Sequence, residues 1–143
     1  MGTVLSGRGM NQAPKTHKDA AQTVTGSWVN WGNEFEVDGA DDGFLMGDIT
    51  INNSEDVRIR VLAKTESGGT FEAPLPISVV SATKAEIDTT GYLEFSRDSN
   101  QSFIVSFEIM KGFPYAQAQI QAGTVGATGA TLSGSKYSLS VRG

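Results

Sequence analysis

The chain has no cysteine, which removes disulfides, thiolate nucleophiles and zinc–thiolate centres from consideration. It has one histidine, His17, so hydroxyl-nucleophile catalysis would have a single possible imidazole base. His17 stands between Lys15 and Lys18 in a polar stretch without apolar period. A base must be held within hydrogen-bond reach of its nucleophile, so the expectation here is a solvated polar residue. Long apolar runs are also missing: no window approaches the roughly 18 residues of a membrane-crossing helix. The opening MGTVLSGRGMNQAPKTHKDAAQ lacks the apolar centre of a secretory signal. MGTVLS fits the short N-myristoylation pattern, with Gly2 followed by Ser6, a match that arises commonly by chance. No P-loop, GxGxxG or HExxH occurs. Neither an enzyme nor a cofactor is expected.

Cations are missing from one region. Residues 26–57 carry Glu34, Glu36, Asp38, Asp41, Asp42, Asp48, Glu55 and Asp56 without a single Lys or Arg. The whole chain balances 11 cations against 16 acids for a net charge of −5. Phosphate contacts need clustered cations, so nucleic acid is not expected as a partner, and neither is a membrane.

What is present points to strands. Seventeen glycines among 143 residues and 38% hydrophobic content suit short strands and many turns. Residues 1–25 show neither period and read as an extended arm, with a helical turn around Lys15–Gln22. Residues 26–143 read as one β domain. SWVNWGNEFEV alternates loosely; DGADDG reads as a turn or loop, and DITIN as a short strand. VRIRVLAK alternates cleanly, with Val57, Ile59 and Val61 inward. ESGG reads as a hairpin turn. In TFEAPLPISVV, Pro74 and Pro76 cannot donate to a ladder, so an edge strand or a late-starting one is expected. KAEID, YLEFS, SFIVSFEIM and KYSLSV follow as strands, SFIVSFEIM being the best candidate for a central one, and GTVGATGATLSGS reads as a small-residue loop. About eight short strands at roughly ten-residue spacing predict an antiparallel β-sandwich, jelly-roll or Ig-like, with an up-and-down barrel as the alternative.

Three groups of residues could carry a site. Asp38, Asp41, Asp42 and Asp48 bear comparison with a calcium loop. Counted as an EF-hand from Asp38, the third ligand position is Ala40 and the bidentate twelfth is Ile49. That leaves a looser four-Asp site against the simpler reading of turn residues bonding their own backbone. Trp28 and Trp31, with Tyr115, could form a glycan-stacking surface. A spacing of three puts the two tryptophans on opposite faces of a strand, so at most one can join it. The third group is the stretch YAQAQIQA, with Ala116, Ala118, Ile120 and Ala122 on one face and Tyr115, Gln117, Gln119 and Gln121 on the other. A plain solvated face is the simpler account. A neutral amide face is also cheaper to desolvate than a charged one, which favours protein contact there and along the arm, through Arg8, Lys15 and Lys18.

In general plan the chain resembles the capsid cement or decoration proteins of tailed bacteriophages: a polar N-terminal arm, no signal sequence, no cysteine, an acidic balance and a small sandwich. The resemblance implies a structural virion protein of the capsid surface, assembled in the host cytoplasm. Its partners would be the major capsid protein and copies of itself as a homo-oligomer, dimer or trimer, with the arm reaching an adjacent subunit. A tail-tube or other virion subunit is the nearest related reading. A carbohydrate-binding sandwich module is the reading of another class.

Overall fold

A computed structural model describes residues 13–18, 20–51, 56–69, 72–82, 85–88, 91–95, 100–122 and 130–141. Its strands are β1 (Lys15–Lys18), β2 (Gln22–Thr23), β3 (Val29–Asn30), β4 (Phe35–Glu36), β5 (Asp42–Ile51), β6 (Val57–Lys64), β7 (Glu72–Pro74), β8 (Ile77–Ser81), β9 (Ala85–Asp88), β10 (Tyr92–Phe95), β11 (Gln101–Glu108), β12 (Tyr115–Ala122) and β13 (Ala130–Ser140). None of the described residues is helical, and none forms a helix long and apolar enough to cross a membrane.

The strands make two antiparallel sheets. An N-terminal sheet runs β1-β13-β5-β11-β8, with β2 also on β13. A glutamine sheet runs β3-β12-β6-β10-β9, with β4 also on β12 and β7 on β6. Period-two alternation turns one face of each sheet inward: Val57, Ile59 and Val61 from β6, Phe103, Val105 and Phe107 from β11, and Ala116, Ala118 and Ile120 from β12 are all buried. The result is the antiparallel β-sandwich that the strand spacing predicts.

Four local readings are corrected. First, Lys15–Gln22 holds no helical turn. Lys15–Lys18 and Gln22–Thr23 are strands paired with β13, and His17 is not solvated but 4% exposed. Second, DGADDG does not end before a short strand, because β5 already begins at Asp42. Its inward positions include Gly43 and Gly47, which stand opposite Phe107 and Phe103 of β11. The neighbouring rings fill the space that side chains of β5 would occupy, so β5 is a core strand that does not look apolar. Third, the Pro-bearing stretch holds, besides the late-starting edge strand expected (β8, which begins after Pro76), a second strand, β7, that lies on β6 in the other sheet. Fourth, GTVGATGATLSGS is not a loop throughout. Its last six residues open β13, with a register shift between Ser133 and Lys136. Residues 1–12, which hold Arg8 and the myristoylation pattern, lie outside the described residues, as do 123–129.

Candidate partner-binding face

The outward face of the glutamine sheet is set by register. Gln121 of β12 pairs with Arg58 of β6, and Arg58 in turn with Glu94 of β10. Two residues along, Gln119 stands between Asn30 of β3 and Arg60 of β6. Each cross-strand row brings a guanidinium beside an amide.

The rows are hydrogen-bonded across the strands. Arg60 donates from Nε and Nη2 to Gln119 Oε1 at 2.8 and 2.6 Å. Gln119 Nε2 donates onward to Asn30 Oδ1 at 3.0 Å. Arg58 Nε donates to Glu94 Oε2 at 2.7 Å and Nη1 reaches Gln121 Oε1 at 3.5 Å, while Gln121 Nε2 donates to the Gly26 carbonyl at 3.2 Å. Gln117 is buried and gives its amide N–H groups to the Ala118 and Gly32 carbonyls. This is why the strand carries glutamine. Gln119 and Gln121 each accept from an arginine on one side and donate to a carbonyl oxygen on the other. A Glu could only accept, and a Lys would repel the arginines.

Two aromatic rings lie over this layer. The Arg60 guanidinium sits 4.2 Å from the centre of the Trp28 ring, and that of Arg58 sits 4.9 Å from the centre of Tyr92. Trp28 and Tyr92 meet edge to face at 5.8 Å. At half-exposed positions such a cation–π contact contributes about 0.5–1 kcal/mol. Its larger effect is to fix both arginine heads in place.

Next along the sheet, Tyr115 Oη donates to Glu36 Oε1 at 3.3 Å. The nearby carboxylates of Glu36, then Glu34 and Asp38, together with some burial, push its phenol above the usual range. Glu34 holds the hairpin turn between β6 and β7: its carboxylate accepts from Lys64 Nζ at 2.8 Å, from the Ser67 hydroxyl and from the Gly68 N–H at 2.8 Å. Lys64, followed by Ser67, holds the Glu34 carboxyl below its usual range. A group with a depressed folded pKa stabilises fully above its unfolded value, and that contribution is lost as pH falls through the lowered one. Glu34→Ala is therefore expected to speed amide exchange at Gly68 and Gly69 at neutral pH and leave β11 untouched; unchanged exchange at the turn would refute the anchoring role.

The expected site residues separate. Tyr115, Gln117, Gln119 and Gln121 share the glutamine sheet, whereas Lys15 and Lys18 belong to the other sheet; Arg8 lies outside the described residues. Trp31 is wholly buried and donates from Nε1 to Ser135 Oγ at 2.7 Å, so it is removed from any glycan-stacking surface. Trp28 stays on the outer face, with Tyr92 rather than Tyr115 as its aromatic neighbour. The four aspartates do not form one site. Asp42 and Asp48 stand six residues apart in the continuous strand β5, about 20 Å at 3.3 Å per residue, and Asp48 accepts the Ser102 hydroxyl. Among the described residues no group of three His, Asp or Glu side chains could hold a metal ion.

One feature escaped sequence reading. The loops 37–41 and 109–114 enclose a cleft of about 560 Å³, with Ile109, Met110 and Phe113 among its apolar walls and Asp38, Asp41 and Lys111 among its charged ones. Backbone bonds tie the loops together, from Val37 N to Pro114 O at 2.8 Å and from Ile109 N to Asp41 O at 3.3 Å. Its lining has no hydroxyl, thiol or imidazole; its ionisable side chains are the two carboxylates and the Lys111 amine.

No family model, curated protein or solved structure matches this chain.

Proposed function

We propose that the chain is a structural subunit of a virion, a capsid cement or decoration protein that binds neighbouring capsid proteins through the outer face of its glutamine sheet. The observation that supports this most is the layer of Arg58, Arg60, Gln119 and Gln121 beneath Trp28 and Tyr92. Tryptophan, tyrosine and arginine are the side chains that dominate interface cores. Here their heads are already ordered by one another, which lowers the entropy lost when a partner arrives. The Gln119 and Gln121 amides already have partners inside the chain, so covering them costs less than covering unpaired amides. The capsid setting follows the resemblance in plan to phage cement proteins. On a lattice, modest contacts repeated at every copy favour the assembled shell over its parts.

The test is co-sedimentation of the purified protein with empty shells of the major capsid protein encoded alongside it. Saturable binding at a fixed ratio to the capsid protein is expected. Trp28→Ala and Arg60→Ala are each expected to weaken it at least about tenfold, the usual scale for an interface anchor, while thermal stability changes little. A protein that stays in the supernatant with every shell overturns the proposal. Glycan-array binding lost in Trp28→Ala would replace it with the carbohydrate reading.

A further inference from the structure

β1 is four residues long, lies at the outer edge of the N-terminal sheet, and has one buried side chain, His17. The ladder with β13 shifts register between Thr16 and Lys18, and the residue between them turns its ring into the sandwich. That ring lies 4.8 Å from Trp31, 5.9 Å from Phe35 and 6.3 Å from Tyr137, centre to centre. His17 Nδ1 is 3.0 Å from the Trp31 carbonyl. A carbonyl only accepts, so Nδ1 carries the hydrogen and Nε2 is a bare lone pair. Nε2 is buried without a hydrogen-bond partner among the described residues.

The backbone around it is fitted as closely. The His17 carbonyl accepts from Asn33 N–H at 2.9 Å, tying β1 to the segment that leads into β4. Gly32 has φ +75°, and a Cβ there would lie 2.3 Å from the His17 oxygen and 2.5 Å from Nδ1. Only glycine leaves room for the strand to sit where it does.

We propose that His17 is an acid-sensitive latch: a proton on Nε2 releases β1 from the sandwich while the remaining strands stay folded. Protonation would place a charge and a new donor in a cage of three aromatic rings, where no described residue accepts from Nε2. Burial, opposed by the Trp31 hydrogen bond, brings the imidazole down to about 4 from its ordinary 6.5.

Burial and the Trp31 carbonyl, not a neighbouring charge, are what shift the imidazole. Lys15 and Lys18 on β1 and Lys136 on β13 carry the same sign. Tyr137 is pushed up by burial and by the Glu36 charge, so it stays neutral in acid. On the segment from Trp31 through β4, Glu34 is engaged by Lys64, Ser67 and Gly68, and Glu36 receives the Tyr115 hydroxyl.

The sign follows from linkage. The released imidazole titrates at its free value, so the open state binds more protons than the latched one between pH about 4 and 6.5. The latch holds fully above that window and weakens as pH falls through it. The opening equilibrium should rise about 30-fold at pH 5, toward a ceiling of about 300-fold in stronger acid. Release stays local because β13 keeps its long pairing with β5, from Ala130 to Ser140.

Amide hydrogen exchange followed by NMR tests this on the full chain, corrected for the intrinsic pH dependence of exchange. The Asn33 amide, whose acceptor is the His17 carbonyl, should open about 20-fold more at pH 5 than at pH 7, while amides shared by β5 and β11 should not. His17→Phe, which fills the cage without titrating, and His17→Gln, which keeps a donor for Trp31, should both abolish the difference. An Asn33 amide indifferent to pH, the same rise in both variants, or β5 and β11 opening together with it overturns the proposal. If neither variant keeps β1 in place at pH 7, direct NMR titration of wild-type His17 decides. An imidazole titrating at or above 6.5 with Asn33 still protected overturns the latch, and one titrating well below supports it.

Discussion

Gly43→Ala is expected to destabilise the fold by about 2–3 kcal/mol, the upper range for forcing one methyl into a packed core. A Cβ built on Gly43 lies 2.1 Å from Phe107 Cζ and within 2.6 Å of both Cε atoms. Real contacts of that kind do not exist, so something must move. Phe107 is 1% exposed and its ring centre lies 6.1 Å from that of Phe35. Phe35 in turn stacks on Tyr137 at 4.0 Å. Room for the methyl must therefore come from a layer of rings or from the β5–β11 ladder itself. Gly47→Ala supplies the control: its Cβ would meet Phe103 at 3.1 Å and Trp31 at 3.3 Å, a squeeze that a small shift relieves. Urea unfolding should show the Gly43 variant clearly below the Gly47 variant in midpoint with an unchanged slope. Phe107→Leu should recover part of the loss in Gly43→Ala, giving a coupling of at least about 1 kcal/mol in a double-mutant cycle. Strict additivity would mean the ring is not what fills the gap.

Trp31→Ala should cost more, about 3–5 kcal/mol for the lost side chain and its cavity. Trp31 is the largest of the fully buried side chains. It contacts Phe103 on one side, at 5.9 Å between centres, and His17 on the other. It also satisfies buried Ser135, and a hydroxyl left without its partner adds about 1–3 kcal/mol. Typical domains have about 5–15 kcal/mol in all, so the variant should be marginal, with a Tm lower by roughly 10–20 °C for a chain of this size. Trp31→Phe keeps a ring but no donor, and should fall between wild type and Trp31→Ala. It should also loosen β1, because the cage around His17 changes shape. A Tm for Trp31→Ala within roughly 3 °C of wild type, the effect of only about 1 kcal/mol, would mean that the cavity collapses at little cost and that the two sheets do not depend on this ring.

Where side chains alternate and stay within their own strand, the sequence was readable. VRIRVLAK spans β6 end to end, and the inward parity of Ala116, Ala118 and Ile120 holds in β12. The parity rule also separates Trp28 from Trp31. What escaped depends on contacts across the chain. β5 was hidden because Gly43 and Gly47 give their inward places to phenylalanines some sixty residues later. KTHK looked solvated because the rings that enclose His17 come from Trp31, Phe35 and Tyr137. Strand alternation put Gln119 and Gln121 on one face and Arg58 and Arg60 on an outward face, but not opposite one another; that needs the β6–β12 register, set by strand pairing across half the chain. The cleft joins two loops about seventy residues apart, so no local pattern announces it.

The pairing of β1 with β13 has a mechanical side. In their antiparallel register Lys15 stands opposite Tyr137 and Lys18 opposite Ser135, so the chain enters β1 and leaves β13 at the same end of the sandwich. Tension applied between those two points would load the ladder one rung at a time, as a zipper opens, and not all rungs together in shear. The first strand would come away under a small pull and lengthen the molecule, while β13 stayed anchored by its long pairing with β5.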